Sequence, residues 1–200
     1  MEKHLKKLVG EKYAGMLWFV LKTIFLFFFF DLFFTAYTGI TAEGGGLYSP
    51  FLANHLNFVS AFRRFLLWGG TIFAAVFGYQ ATSDEYNMVI VGGRGVKMVY
   101  SCMGFGLMSA FAALILAWPE HWKKKISSLA IGLIMIIFLN MVRIGGLAIL
   151  FSEGKYGFFS YIDHHDLFNY IVYFFILLFF IWHTRSKNND TNVHAEGPEN

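Results

Sequence analysis

Among its 200 residues the chain has a single cysteine, Cys102. One thiol excludes an internal disulfide and any zinc site built from several cysteines. Charge is scarce as well. Asp, Glu, Lys and Arg make up 14% of the chain, against about 25% in an ordinary water-soluble domain. The net charge of +3 carries no message about partners, because the basic residues sit at the borders of apolar runs. They form no stripe suited to nucleic acid. Internal repeats are lacking too.

What fills the chain instead is apolar. Hydrophobic residues supply 56% of it, with 25 Phe, and the apolar runs cover 13–41, 58–79, 102–118, 126–151 and 167–182. Several approach the ~20 residues that cross a bilayer as a helix. The sequence reads as an integral membrane protein. Its first run is too long for a cleavable signal peptide and lacks a small-residue cleavage site, so it is expected to remain as an anchor.

Positive charges set an expected orientation. Lys3, Lys6, Lys7 and Lys12 precede the first run, Lys123, Lys124 and Lys125 stand between the third and fourth, and Arg185 and Lys187 follow the last. The positive-inside rule puts all three clusters in the cytoplasm. Runs 102–118 and 167–182 then travel inward and 126–151 outward, with Cys102 opening its helix on the outer side. Residues 58–79 cannot cross in that scheme, and Arg63 and Arg64 interrupt their apolar pattern. One or two helices lying in the outer interface are expected over 50–79; a true crossing, which would require another near 47–62, is the rival.

Two β-rich runs, 86–91 and 96–101, flank Gly92, Gly93, Arg94 and Gly95. That pattern predicts a hairpin with a glycine-rich turn, delivering the chain into Cys102. The fold class is therefore an all-α membrane protein. It would be a bundle of about four crossings with outer interfacial helices and a short β-hairpin before the thiol. Residues 1–183 read as one membrane domain, and 184–200 as a polar cytoplasmic tail expected to be disordered.

Three polar features fall near the outer helix ends: Cys102, Arg143, and the run Asp163, His164, His165, Asp166. Cys102 lies 21 residues before Lys123, Arg143 18 after Lys125, and His165 20 before Arg185. At 1.5 Å per residue each stands roughly 27–32 Å from the lysine-rich border. Shared depth is what spacing gives; it does not say which way the side chains face. The residue types suit acyl transfer. A thiol needs a neighbouring imidazole or cation to become a nucleophile, His165 could carry the proton, and Arg143 could donate to a developing oxyanion. Each also has a plainer reading: a packed cysteine, an arginine that snorkels or pairs with Glu153, and a solvated loop capped by Asp163 or Asp166. Asp31 interrupts FLFFFFDLFF and is expected to face protein, with structural pairing to an arginine ahead of a role in the site.

At these residues the chain resembles the exosortase/archaeosortase family of membrane-embedded cysteine transpeptidases. The family's cysteine motif reads Cys102-Met103-Gly104 here, its Asn-x-x-Arg motif Asn140-Met141-Val142-Arg143, and its His-Asp motif His165-Asp166. The resemblance covers about 50–183 and, with the short N-terminal part, fits the family's compact forms. Met103 departs from the usual small polar residue, and Asn169 stands where many members have glycine. The resemblance implies a catalytic set of Cys102, Arg143 and His165, with Asn140, Asp166, His164 and Asp31 as supporting candidates and no cofactor or metal. It implies cleavage of a C-terminal sorting segment on an exported, membrane-tethered protein through a thioester, and transfer to an unidentified amine acceptor at the cell surface. The expected setting is the lipid bilayer of a bacterial inner membrane, with the active site outside and both termini cytoplasmic. A metal-dependent hydrolase using the Asp163–His164–His165–Asp166 run, and a non-catalytic subunit of surface-polymer export, are the competing readings.

Overall fold

The computed structural model describes residues 11–42, 47–154, 170 and 172–181. Residues up to 156 form one compact unit and those from 157 onward a second. The first unit holds α1 (Glu11–Thr41), α2 (Pro50–His55), α3 (Phe58–Val76), β1 (Ala81–Ser83), β2 (Asn87–Ile90), β3 (Gly95–Lys97), a 3-10 turn (Tyr100–Met103), α4 (Phe105–Ala117) and α5 (Trp122–Ser152). In the second, the described helix α6 covers Val172–Ile181. The predicted tail and the Asp163–His164–His165–Asp166 run lie outside the described residues.

The apolar runs become helices whose ends follow local chemistry. Pro50 starts α2, where its missing N–H costs nothing. Asn57 caps α3, its side-chain oxygen accepting from Ser60 N at 3.0 Å. α4 stops at Trp118, which precedes Pro119 and takes the extended backbone that a following proline favours (φ −62°, ψ 136°). α5 ends through Gly154 at φ 68°, the left-handed position that suits glycine after a helix.

Stretches 13–41, 50–76 and 122–152 are long and apolar enough to cross a membrane. α4 is shorter, at 13 residues or about 20 Å. It runs antiparallel to α1: Phe19 meets Trp118 edge-on at 5.4 Å between centroids, and Phe34 stacks on Phe105 at 4.6 Å. It also packs on α5, where Phe111 fills the space a side chain on Gly132 would need. Small residues matter here because helices in lipid associate by close packing rather than by escape from water. The side chains of α1 that point away from this seam, Phe25, Phe28, Phe29 and Leu32 among them, are exposed.

α3 behaves differently. Phe58 and Phe62 meet Phe105, Gly69 and Gly70 face Met141 and Ile144, and Gly145 lies against Gly70 and Phe73. Gly104 in turn faces Asn140, so Phe105 and Asn140 share a level. From Gly69 to Phe73 the helix advances four residues, and its partners on α5 advance by the same number, from Met141 to Gly145. Just past the helix the Tyr79 hydroxyl donates to Glu153 at the end of α5, so from Gly69 onward α3 runs alongside α5 in the same direction rather than lying across the bundle as the arginine-interrupted sequence suggested.

The sheet is antiparallel in the order β1-β2-β3. β2 alternates as a half-buried strand should, with Met88 and Ile90 buried and Val89 exposed. Two details differ from the sequence reading. β1 adds a third strand, and the second hairpin strand is shorter than 96–101, because Tyr100–Met103 folds as a 3-10 turn. Cys102 therefore does not open an α-helix; the helix begins at Phe105.

Candidate active site

The turn carrying Cys102 is built by its neighbours. Cys102 N donates to Val99 O at 3.0 Å, closing the 3-10 turn. Gly104 follows at φ 80°, ψ 16°, a conformation that strains any residue with a Cβ. That reversal lets α4 start at once, with Met108 N donating to Gly104 O at 2.9 Å. The thiol is left half-buried outside the helix.

Asn140 holds this turn from α5. Its Nδ2 donates to Cys102 O and to Met103 O, both at 3.1 Å. Asn140 itself is buried, so two carbonyls of an irregular turn gain a donor where water is scarce. Three residues on, and therefore on the same helix face, comes Arg143, 8% exposed. It does not reach out to a surface. Arg143 and Cys102 line one cavity of about 200 Å³, whose other walls are β3 with Met98 and the α5 residues Ile144, Leu147 and Phe151.

Asp31 comes close to the same layer. Its Oδ1 lies 3.7 Å from where a Cβ on Gly106 would stand, at the first turn of α4, an end that favours negative charge. Cys102, Asn140 and Arg143 thus converge from two elements, while Asp31 lies beside the first turn of α4 and does not line the cavity. His164, His165 and Asp166 lie outside the described residues. Among the described residues no three His, Cys, Asp or Glu side chains gather as metal ligands. Sequence reasoning missed Lys97, Leu147 and Phe151 as cavity residues. The spacing of Asn140, Arg143, Leu147 and Phe151 at three and four residues marks one face of α5 and was the signal available for the last two.

The sequence matches the transmembrane exosortase family (Exosortase_EpsH) over residues 8–182. The chain belongs to that family. Membership together with the long apolar helices makes it a multi-pass membrane protein of the membrane transpeptidase class. No curated protein and no solved structure matches it.

Proposed function

We propose that the protein cleaves a C-terminal sorting segment from exported, membrane-tethered proteins and transfers the new terminus to an amine acceptor. The observation that carries this reading is the pairing of the only thiol with a buried guanidinium across one cavity, from elements 41 residues apart. Cys102 Sγ attacks the scissile carbonyl carbon as its proton passes to His165. The oxyanion that forms is stabilised by Arg143. The C–N bond then breaks, the leaving amine takes the proton from His165, and a thioester remains on Cys102. An acceptor amine, or water, attacks that thioester and restores the thiol. The role of His165 rests on the family motif.

The approach of the peptide is supported by the sheet. β3 is an edge strand that pairs with β2 through the register Met88↔Val96. Tyr86 O accepts from Met98 N and Arg94 O from Ile90 N, which turns the backbone groups of Val96 towards β2 and those of Gly95 and Lys97 away from it. An extended substrate would lie along that free side, the mode by which peptides add to sheet edges. The positive-inside rule sets this end of the bundle outside the cell. The test is intact-protein mass spectrometry of protein co-expressed with candidate sorting-segment substrates. An acyl adduct on Cys102, released by hydroxylamine and missing in a membrane-inserted Cys102→Ala variant, is expected. Full processing by Cys102→Ala would overturn the reading.

A further inference from the structure

A second cavity, of about 450 Å³, shares Lys97 and Met98 with the thiol cavity and is otherwise walled by Arg63, Tyr86, Asn87, Val99 and Tyr100. Arg63 is its unusual member. The guanidinium lies over the Tyr86 ring, 4.2 Å from the centroid. Its Nε and Nη1 are buried and, among the described residues, have no hydrogen-bond partner. Stacking uses the face of a guanidinium, whereas its N–H bonds lie in the plane. Tyr86 therefore leaves those donors unmet. Charged donors buried without an acceptor are costly, and an arginine in a membrane protein's interior marks a cavity or a partner.

The nearby carboxylates have other work. Asp84 Oδ1 accepts from Tyr86 N and Asn87 N, each at 2.7 Å, and Glu85 Oε1 accepts from Ser60 Oγ at 3.1 Å. Lys97 brings a second cation to the cavity, and Tyr100 and Asn87 bring polar side chains. An anion with several acceptor oxygens suits this set, because a guanidinium fork matches phosphate oxygens and an ammonium adds a point charge. α3, which carries Arg63, exposes Phe65, Trp68, Ile72 and Val76. Such a surface, tryptophan included, suits the layer where lipid headgroups lie.

We infer that this cavity is a binding site for a phosphate group, held by Lys97 Nζ and by the Arg63 guanidinium, whose side chain turns its enclosed Nε and Nη1 towards the cavity when the anion enters. The phosphate comes from a phospholipid headgroup or from free phosphate. Occupancy joins α3, the hairpin and the cysteine turn through one ligand. Because the cavity shares Lys97 and Met98 with the thiol cavity, its test reads binding and not turnover.

Full-length protein, stripped of lipid in a maltoside detergent, is probed by native mass spectrometry with three compounds. These are phosphatidylglycerol, diacylglycerol of the same acyl chains, and inorganic phosphate. Phosphatidylglycerol should be retained and diacylglycerol should not. Arg63→Gln, checked for unchanged circular dichroism and elution, should weaken phosphatidylglycerol binding about tenfold or more, in line with loss of charged hydrogen bonds. Arg63→Lys keeps the charge without the fork and should fall between the two. Binding of inorganic phosphate alone, lost in the same variants, supports the site with free phosphate as its ligand. Equal retention of both lipids, no binding of either phosphate probe, or wild-type affinity in Arg63→Gln overturns the inference. Should Arg63→Gln fail to fold, wild-type affinity in Arg63→Lys overturns it instead.

Discussion

Lys125 and Arg63 are both cations drawn over an aromatic ring, at opposite ends of the bundle. Lys125 lies 5.1 Å from the Trp122 centroid and donates to Leu116 O at 2.8 Å. Leu116 is in the last turn of α4, where carbonyls lack helical partners and a cation is favoured. Arg63 has the ring, but its Nε and Nη1 meet no acceptor among the described residues. The difference separates two uses of charge in an apolar chain. A cation whose donors are met closes a helix end and belongs to the fold. A cation whose donors are unmet is held ready for something the fold does not supply.

Arg143 extends that comparison, and altering it has the largest expected effect. If its planar fork orients donors in the thiol cavity, Arg143→Lys cannot replace it. Processing should fall by about a hundred- to a thousand-fold, the usual loss when one oxyanion donor is removed, with normal expression and insertion. Single-turnover acylation should fall in step. Near-normal processing would leave Arg143 as a charge and nothing more.

Stability changes give the next, smaller contrast. Lys125→Met removes the donor to Leu116 O and should lower stability by about 1 kcal/mol, read as an earlier thermal midpoint in detergent. Arg63→Met removes donors that are already unmet, so in phosphate-free detergent its midpoint should match or exceed wild type. Equal losses in the two variants would break the distinction between met and unmet cations.

The smallest effect concerns an exposed charge. Asp84 sits in the β1–β2 turn, and its pKa is lowered by the Asn87 side chain first, then by the backbone N–H groups of Tyr86 and Asn87. A carboxyl with a lower pKa in the folded state contributes stability that is fully present above its unfolded pKa and is lost as pH falls through the folded value. The thermal midpoint should therefore hold from neutrality down to about pH 4, near the unfolded pKa, and decline below it. Asp84→Asn should flatten that decline. An unchanged acid profile in the variant would show that the turn does not depend on the charge.

The sequence made the helices readable because long apolar runs have few alternatives to helix in lipid. The hairpin turn was readable because glycine clusters there, and Gly92 does take a positive φ of 78°. β1 was hidden: three residues, Ala81, Thr82 and Ser83, carry no alternation to detect. The thiol's position was legible as a depth, yet the 3-10 turn was not, since it depends on Gly104 and on donors from Asn140, 38 and 37 residues away from the carbonyls they meet. The Arg63 cavity was hidden for the same reason. Arg63, Tyr86 and Lys97 come together only once the hairpin folds beside α3.

The length of α4 has a consequence for the proposed cleavage. At about 20 Å for its 13 residues, α4 is shorter than the hydrocarbon core of about 30 Å. With the near border of the membrane at the level of Trp118 and Lys125, the helix works as a ruler that stops short of the far one. Under the proposed chemistry Cys102 would act at a fixed height, and a chain anchored in the same bilayer would offer the thiol only the bond that hangs at that height. One inserted turn of four residues in α4 would raise the mark by about 6 Å and swing it by about 40°. Selection of the bond to be cut would then be a matter of distance from the anchor as much as of the residues beside it.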